Sequence, residues 1–170
     1  MFSSLGAVVN HFFEEADDCQ AKHPSASILL SSVALEATLY RKLLPSRHAL
    51  KHLFNICDLE RLELQDLIRY ARRLGLLDKK NRKRVDYVRE IRNCVVHPTT
   101  RNLKRLANRH YPDMLDAIKT RIRPSGEIPP GEKEFQCEAL FFARIKELSR
   151  KTLKNTETVL KFIDKKSSFH

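Results

Sequence analysis

The chain has 170 residues and a formal net charge of +11, with only four glycines and four cysteines. This length is enough for one self-sufficient core, and no apolar run approaches the eighteen or more residues of a membrane span. The excess of Lys and Arg points to an anionic partner, nucleic acid first.

From the N-terminus, Val8, Val9, Phe12, Phe13 and Ala16 predict a helix over about residues 4–21. His23-Pro24-Ser25 breaks it, and Ser25 is placed to cap a second helix reaching about Leu44. That second helix is apolar nearly all round (Ile28, Leu29, Leu30, Val33, Leu35, Leu39), which makes it central. Residues 47–57 are expected to form a short helical turn. Asp58 is expected to cap a third helix carrying Leu59, Leu62, Leu64, Leu67, Ile68 and Leu74, with Gly75 as its stop. After 78–83, a charged connector or first turn, comes a helix with an apolar stripe of Val85, Val88, Ile91 and Val95. Residues 102–121 read as helical with an interruption at Tyr111-Pro112, and 124–131 read as a linker. One long final helix over 132–164 closes the bundle or meets a second copy, and 165–170 fray. The expected organisation is a helical domain over 1–123, the linker, and a C-terminal helix over 132–170. Composition, rich in Leu, Ala, Lys, Arg and Glu, agrees with an all-α fold.

Cys19, Cys57, Cys94 and Cys137 are far apart and form neither metal-type pairs nor a disulfide framework. No basic n-region precedes Glu14 and Glu15, so no secretory signal is expected and a reducing cytoplasm is the expected setting.

The densest chemistry lies in Glu90-Ile91-Arg92-Asn93-Cys94-Val95-Val96-His97-Pro98. A guanidinium beside an imidazole can grip a phosphate and move a proton. On a helix Asn93 lies beside His97, four residues on. Arg92 and His97, five apart, diverge by about 140° at roughly 100° per residue. One regular helix therefore does not aim both at one small target unless Arg92 reaches around, whereas a two-fold dimer could set two Arg-His pairs about one cleft. Pro98 disfavours helical geometry at His97, so the helix is expected to end or kink there. Basic residues flank the motif on both sides, among them Lys83, Arg84, Arg89, Arg101 and Lys104, opposed between Arg69 and Arg105 only by Asp78, Asp86 and Glu90. Beside a phosphate-suited motif this cluster favours nucleic-acid contact over a merely solvated face.

Arg92-Asn93-x-x-x-His97 resembles the R-N-x-x-x-H motif of the HEPN superfamily. Ser31-Ser32-Val33-Ala34-Leu35-Glu36-Ala37 is similar to the apolar second helix of these domains. Leu67 to Leu77, leading into Val88-Arg89-Glu90-Ile91-Arg92-Asn93, is similar to their third helix and the approach to the motif. The likeness covers roughly residues 1–100. It implies an all-α, HEPN-like helical bundle with an additional long C-terminal helix, dimeric, acting as a metal-independent endoribonuclease of the kind found among toxins and anti-phage effectors. Arg92 would then bind the scissile phosphate, His97 would serve as general acid or base for attack by the neighbouring 2′-hydroxyl, and Asn93 would orient one of them. Arg89, Arg84, Lys83, Arg101 and Lys104 would contact RNA. No metal or cofactor is expected. The partners implied are RNA, a second copy, and an antitoxin or regulatory protein. In one toxin subgroup a modified tyrosine stands two residues after the histidine; here that position is Thr99, so control by that modification is not expected. The alternative is a non-catalytic HEPN module that binds RNA, a nucleotide or a partner protein.

Other features have plainer readings. Glu36, on a helix expected to be buried, wants a cation, with Arg92 as one partner and a local pair with Arg41 or a half-exposed edge position as the others. His48 and His52 are four apart, yet no carboxylate or cysteine completes a metal site near them. Cys94 reads as a small packing residue. Tyr70 and Tyr87 could stack on a base but sit at core spacing. The segment from Ala71 to Leu77 followed by a basic helix also resembles a helix-turn-helix fragment, against which stands the buried stripe of that helix.

Overall fold

The computed structural model describes residues 6–46, 62–112 and 132–167. Among these residues all regular structure is helical: α1 (Ala7–Cys19), α2 (Pro24–Leu43), α3 (Leu64–Arg73), α4 (Lys79–Val96), α5 (Thr100–His110), α6 (Glu132–Ala143) and α7 (Ile145–Ser167), with one 3-10 turn at Leu44–Ser46. The protein is an all-α bundle. No helix of the described residues is long and apolar enough to cross a membrane.

The apolar α2 is central, as its composition predicts. It packs against α1, α3, α4 and α7. Its buried Ser27, Ser31, Ala34 and Thr38, like the buried Ser149, Thr152 and Thr156 of α7, are small enough to let helix backbones approach closely. One apolar cluster joins Val9, Leu35, Leu39, Leu67, Ile68, Val85, Val88, Leu160 and Ile163. A second joins Ile28, Tyr87, Ile91, Leu103, Leu106, Phe141 and Leu148. Both draw residues from α2, α4 and α7, so those three helices unite the bundle.

Pro24 does not lie between helices. It occupies the first turn of α2 with His23 as N-cap, because a proline there loses no needed N–H and its fixed φ is already helical. Leu62 and Glu63 are not helical; Glu63 is extended (φ −72, ψ 160) and stands at the N-cap position of α3 without a side-chain bond to it. The expected turn at 47–57, the cap at Asp58, Leu59 and the linker at 124–131 lie outside the described residues. Gly75 does stop α3. Its φ of +70 suits a residue without Cβ. The Gly75 N–H donates to the Arg72 carbonyl (3.0 Å) and the Leu76 N–H to the Ala71 carbonyl (2.8 Å), the paired bonds of a Schellman stop.

Asp78 starts α4 by accepting from the Asn81 N–H at 2.7 Å. Thr99 starts α5 by accepting from the Asn102 N–H at 3.3 Å. The C-terminal segment is two helices where one was expected. Arg144 stands between them outside helical pattern, and its N–H donates to the Phe141 carbonyl at 3.1 Å. The two pieces have different partners: α6 packs on α5, while α7 packs on α2 and α4. A single straight rod would not serve both. The basic helix of the helix-turn-helix reading is α4, which packs against α2, α3, α5 and α7 and buries Val85, Val88 and Ile91.

Candidate functional site

Helix α4 ends at Val96. His97 leaves the helix at φ −133, ψ 79 while its N–H still donates to the Asn93 carbonyl at 2.9 Å. Pro98, which disfavours helical backbone at the preceding residue, accounts for that departure. The consequence is geometric. The 140° divergence expected of Arg92 and His97 holds only on a regular helix. Once His97 turns off it, both line one cleft within a single chain.

That cleft, about 380 Å³, is bounded by Glu36 of α2, Glu63, Leu64 and Gln65 at the start of α3, Arg89, Arg92 and Asn93 of α4, then His97 and Asn102. Five residues singled out from the sequence, Arg92, Asn93, His97, Arg89 and Glu36, therefore meet in one place. Glu36 is half-buried and shares the cleft wall with Arg92. Arg89 has a side chain only 14% exposed. Its Nη1 donates to Gln65 Oε1 at 3.0 Å, and its Nη2 lies 3.9 Å from Asp86 Oδ1. Its Nε is buried without a hydrogen-bond partner among the described residues. A guanidinium this constrained is ready to receive an anion, since little side-chain freedom remains to be lost on binding. At the start of α3, Glu63 provides no side-chain cap, and Glu63, Leu64 and Gln65 line the same cleft.

The remaining predicted residues lie elsewhere. Arg101 and Lys104 line a separate open groove along α5 with Arg105, Asn108 and Arg109. Arg84 donates from Nη1 to Asn81 Oδ1 at 2.9 Å, and Lys83 is exposed. Lys83 is nine residues from Arg92 and Arg84 nine from Asn93, which turns each about half a circle away at ~100° per residue. Neither lines the cleft. His48 and His52 lie outside the described residues.

Sequence reading missed the support of the site. Asn102 Nδ2 donates to the His97 carbonyl at 2.9 Å, and the Thr99 N–H donates to the same oxygen at 2.7 Å. Together with the bond to Asn93 these hold the His97 backbone from both directions. Helix α5 is in turn tied to α4 through Glu90, whose side chain is 7% exposed. Glu90 accepts from Arg109 Nη1, lies 3.0 Å from His110 Nε2 and 3.5 Å from Arg105 Nε. A buried carboxylate demands such partners. The signal existed: Glu90 precedes a helix carrying Arg105, Arg109 and His110 with no acid of its own. Nothing in the spacing says that the two helices pack.

Next to this tie the Tyr87 and Tyr111 hydroxyls share a buried hydrogen bond of 2.9 Å. Lys151 Nζ sits over both rings, 4.9 and 5.1 Å from their centroids. Burial and the Tyr111 bond push the Tyr87 phenol far up, so it stays neutral. Tyr70 is buried as well, and neither tyrosine offers a face to a nucleobase. Burial, with Glu90 adding to it, pushes the Cys94 thiol up to about 12. At pH 8 only about one such thiol in ten thousand is thiolate, the reactive form. Native alkylation with iodoacetamide at pH 8, read peptide by peptide by mass spectrometry, is expected to label the less buried Cys19 at least about tenfold faster than Cys94. Rapid labelling of Cys94 would contradict its packing role.

Among the described residues no group of three or more His, Cys, Asp or Glu could hold a metal ion. Comparisons with family models, with curated proteins and with solved structures find no match for this chain.

Proposed function

We propose that the protein is a metal-independent endoribonuclease of the HEPN type, with Arg92, Asn93 and His97 at its centre. The observation that carries this reading is the single cleft in which Arg92, Arg89, Asn93 and His97 converge. RNA supplies its own nucleophile. The 2′-oxygen attacks the adjacent phosphorus and gives up its proton; the P–O5′ bond breaks and the 5′-oxygen takes one up. The products are a 2′,3′-cyclic phosphate and a 5′-hydroxyl. The protein has to position the phosphate, stabilise its growing charge and move protons. Arg92, aided by Arg89, holds the phosphate oxygens. His97 carries one of the two proton transfers. Asn93 and Asn102 fix the His97 backbone, and the Asn93 amide lies on the same wall to orient the phosphate or the ring. Glu36, which lines the same cleft, offsets part of the Arg92 charge. A homodimer and a role as a toxin or anti-phage effector belong to the same proposal and rest on the resemblance alone.

The test is cleavage of end-labelled single-stranded RNA in excess EDTA. The expected result is cleavage that leaves cyclic-phosphate ends and stops when the nucleotide on the 5′ side of the cut carries no 2′-hydroxyl. Cleavage that survives removal of the 2′-hydroxyl, or that stops in EDTA, would overturn the mechanism.

A further inference from the structure

We infer that helix α5 is a track for single-stranded RNA leaving the cleft, so that the ligand is a polynucleotide several residues long and not a mononucleotide. The inference rests on the ribonuclease reading for what occupies the cleft, but its evidence lies outside it. Helix α5 carries Arg101, Lys104, Arg105 and Arg109 and not one acidic residue. Leu103, Leu106 and Ala107 are buried, which turns the cationic side of the helix outward, where a groove of about 600 Å³ runs along it. Arg105 and Arg109, each 52% exposed at the side chain, are anchored by Glu90 from below. Arg101 and Lys104 are exposed and have no ion-pair partner among the described residues. The groove is adjacent to the cleft. A small polar pocket between them shares Arg89, Asn93 and Asn102 with the cleft and Arg105 with the groove.

The chemistry selects the occupant. The described lining of the cleft holds no phenylalanine or tyrosine on which a base could stack. Only the His97 ring and the Arg89 and Arg92 guanidinium planes could stack on a base there, and Glu36 and Glu63 oppose the two arginines in the same lining, so a single phosphate in the cleft gains little net charge and leaves the α5 cations unused. A second and third phosphate on the same strand would reach them. From Arg101 to Arg109 the helix presents about 12 Å of cationic surface at ~1.5 Å per residue. That is short beside the roughly 16 base pairs that shape-reading duplex-RNA domains span, and an unpaired strand can also turn its 2′-oxygen into line with the phosphate.

Binding tests this independently of cleavage. The probes are 2′-O-methyl RNA oligomers of two and eight nucleotides, which cannot be cut, measured against wild type and the Arg101→Ala/Lys104→Ala double variant over a range of salt. These positions are solvent-facing, so circular dichroism should show an unchanged fold. For the octamer the double variant is expected to lose about tenfold in affinity at low salt, and the slope of log K against log salt should flatten by about 1.4, two contacts at ~0.7 each. Dinucleotide binding should not change. An unchanged octamer slope, an equal loss for the dinucleotide, equal binding of a duplex of the same length, or a loss seen for polyglutamate but not for RNA would each overturn the track. Octamer loss without any RNA cleavage by wild type would leave the track standing and sink the ribonuclease reading. Cleavage with an unchanged slope would do the reverse.

Discussion

His97→Ala is expected to lower the rate of RNA cleavage by about 10²- to 10⁴-fold, the usual contribution of a positioned general acid or base, while leaving RNA binding within about twofold. The argument is local. His97 is exposed and ends α4; what the structure uses of it is its backbone, which bonds to Asn93, Thr99 and Asn102. Alanine keeps every one of those bonds. The fold should therefore survive, and thermal unfolding of the variant should stay close to wild type. Arg92→Ala should behave differently. It removes the group that holds the phosphate, so binding should weaken along with a rate loss of about 10²- to 10³-fold. A separation of the two variants in this way, read from single-turnover rates and from binding of a non-cleavable RNA, assigns proton transfer to His97 and phosphate binding to Arg92. Should His97→Ala instead lower stability with no change in rate, the histidine is structural.

Glu90→Ala should destabilise the protein by about 2–3 kcal/mol. It removes a buried acceptor of charge-assisted hydrogen bonds, worth ~1.5–3 kcal/mol when one such bond is lost, and unties α5 from α4. The figure stays below that for breaking a fully buried pair, because Arg105 and Arg109 are half-exposed and regain water. At ~2–4 °C per kcal/mol for a chain of this size, Tm should fall by about 5–10 °C. Glu157→Ala is the control. Its pair with Lys161 is a surface i,i+4 contact, and its loss should cost under about 0.5 kcal/mol. Equal Tm values for the two variants would show that the Glu90 cluster does not hold the helices together. Since α5 also supplies Asn102 to the His97 carbonyl, Glu90→Ala should slow cleavage even at temperatures where it remains folded.

Much of this bundle can be read from residue spacing. The all-round apolar surface of α2, the stripe of Val85, Val88 and Ile91, and the Gly75 stop each have one structural solution, and the structure adopts them. The place of Pro24 is not legible from spacing, because proline is equally at home just before a helix and in its first turn. The break at Arg144 carries no glycine or proline; it follows from the different packing partners of α6 and α7, which only the tertiary arrangement reveals. At the site, Arg92, Asn93 and His97 stood out because polar groups so close together in an apolar helix need a reason. Their convergence was not legible, since a regular helix separates Arg92 from His97 and only the non-helical backbone at His97 brings them together. Glu63, Gln65 and Asn102 were invisible for a related reason. They are ordinary surface residue types whose role comes from the helices packed beside them.

The most direct measurement is cleavage of a mixed structured and single-stranded RNA pool in EDTA by wild type and His97→Ala, side by side. Cleavage by wild type alone, leaving cyclic-phosphate ends, is the predicted result. No cleavage by wild type while it still binds RNA would contradict the account and make this cleft a binding site; equal cleavage by both proteins would contradict it by placing the chemistry somewhere other than His97.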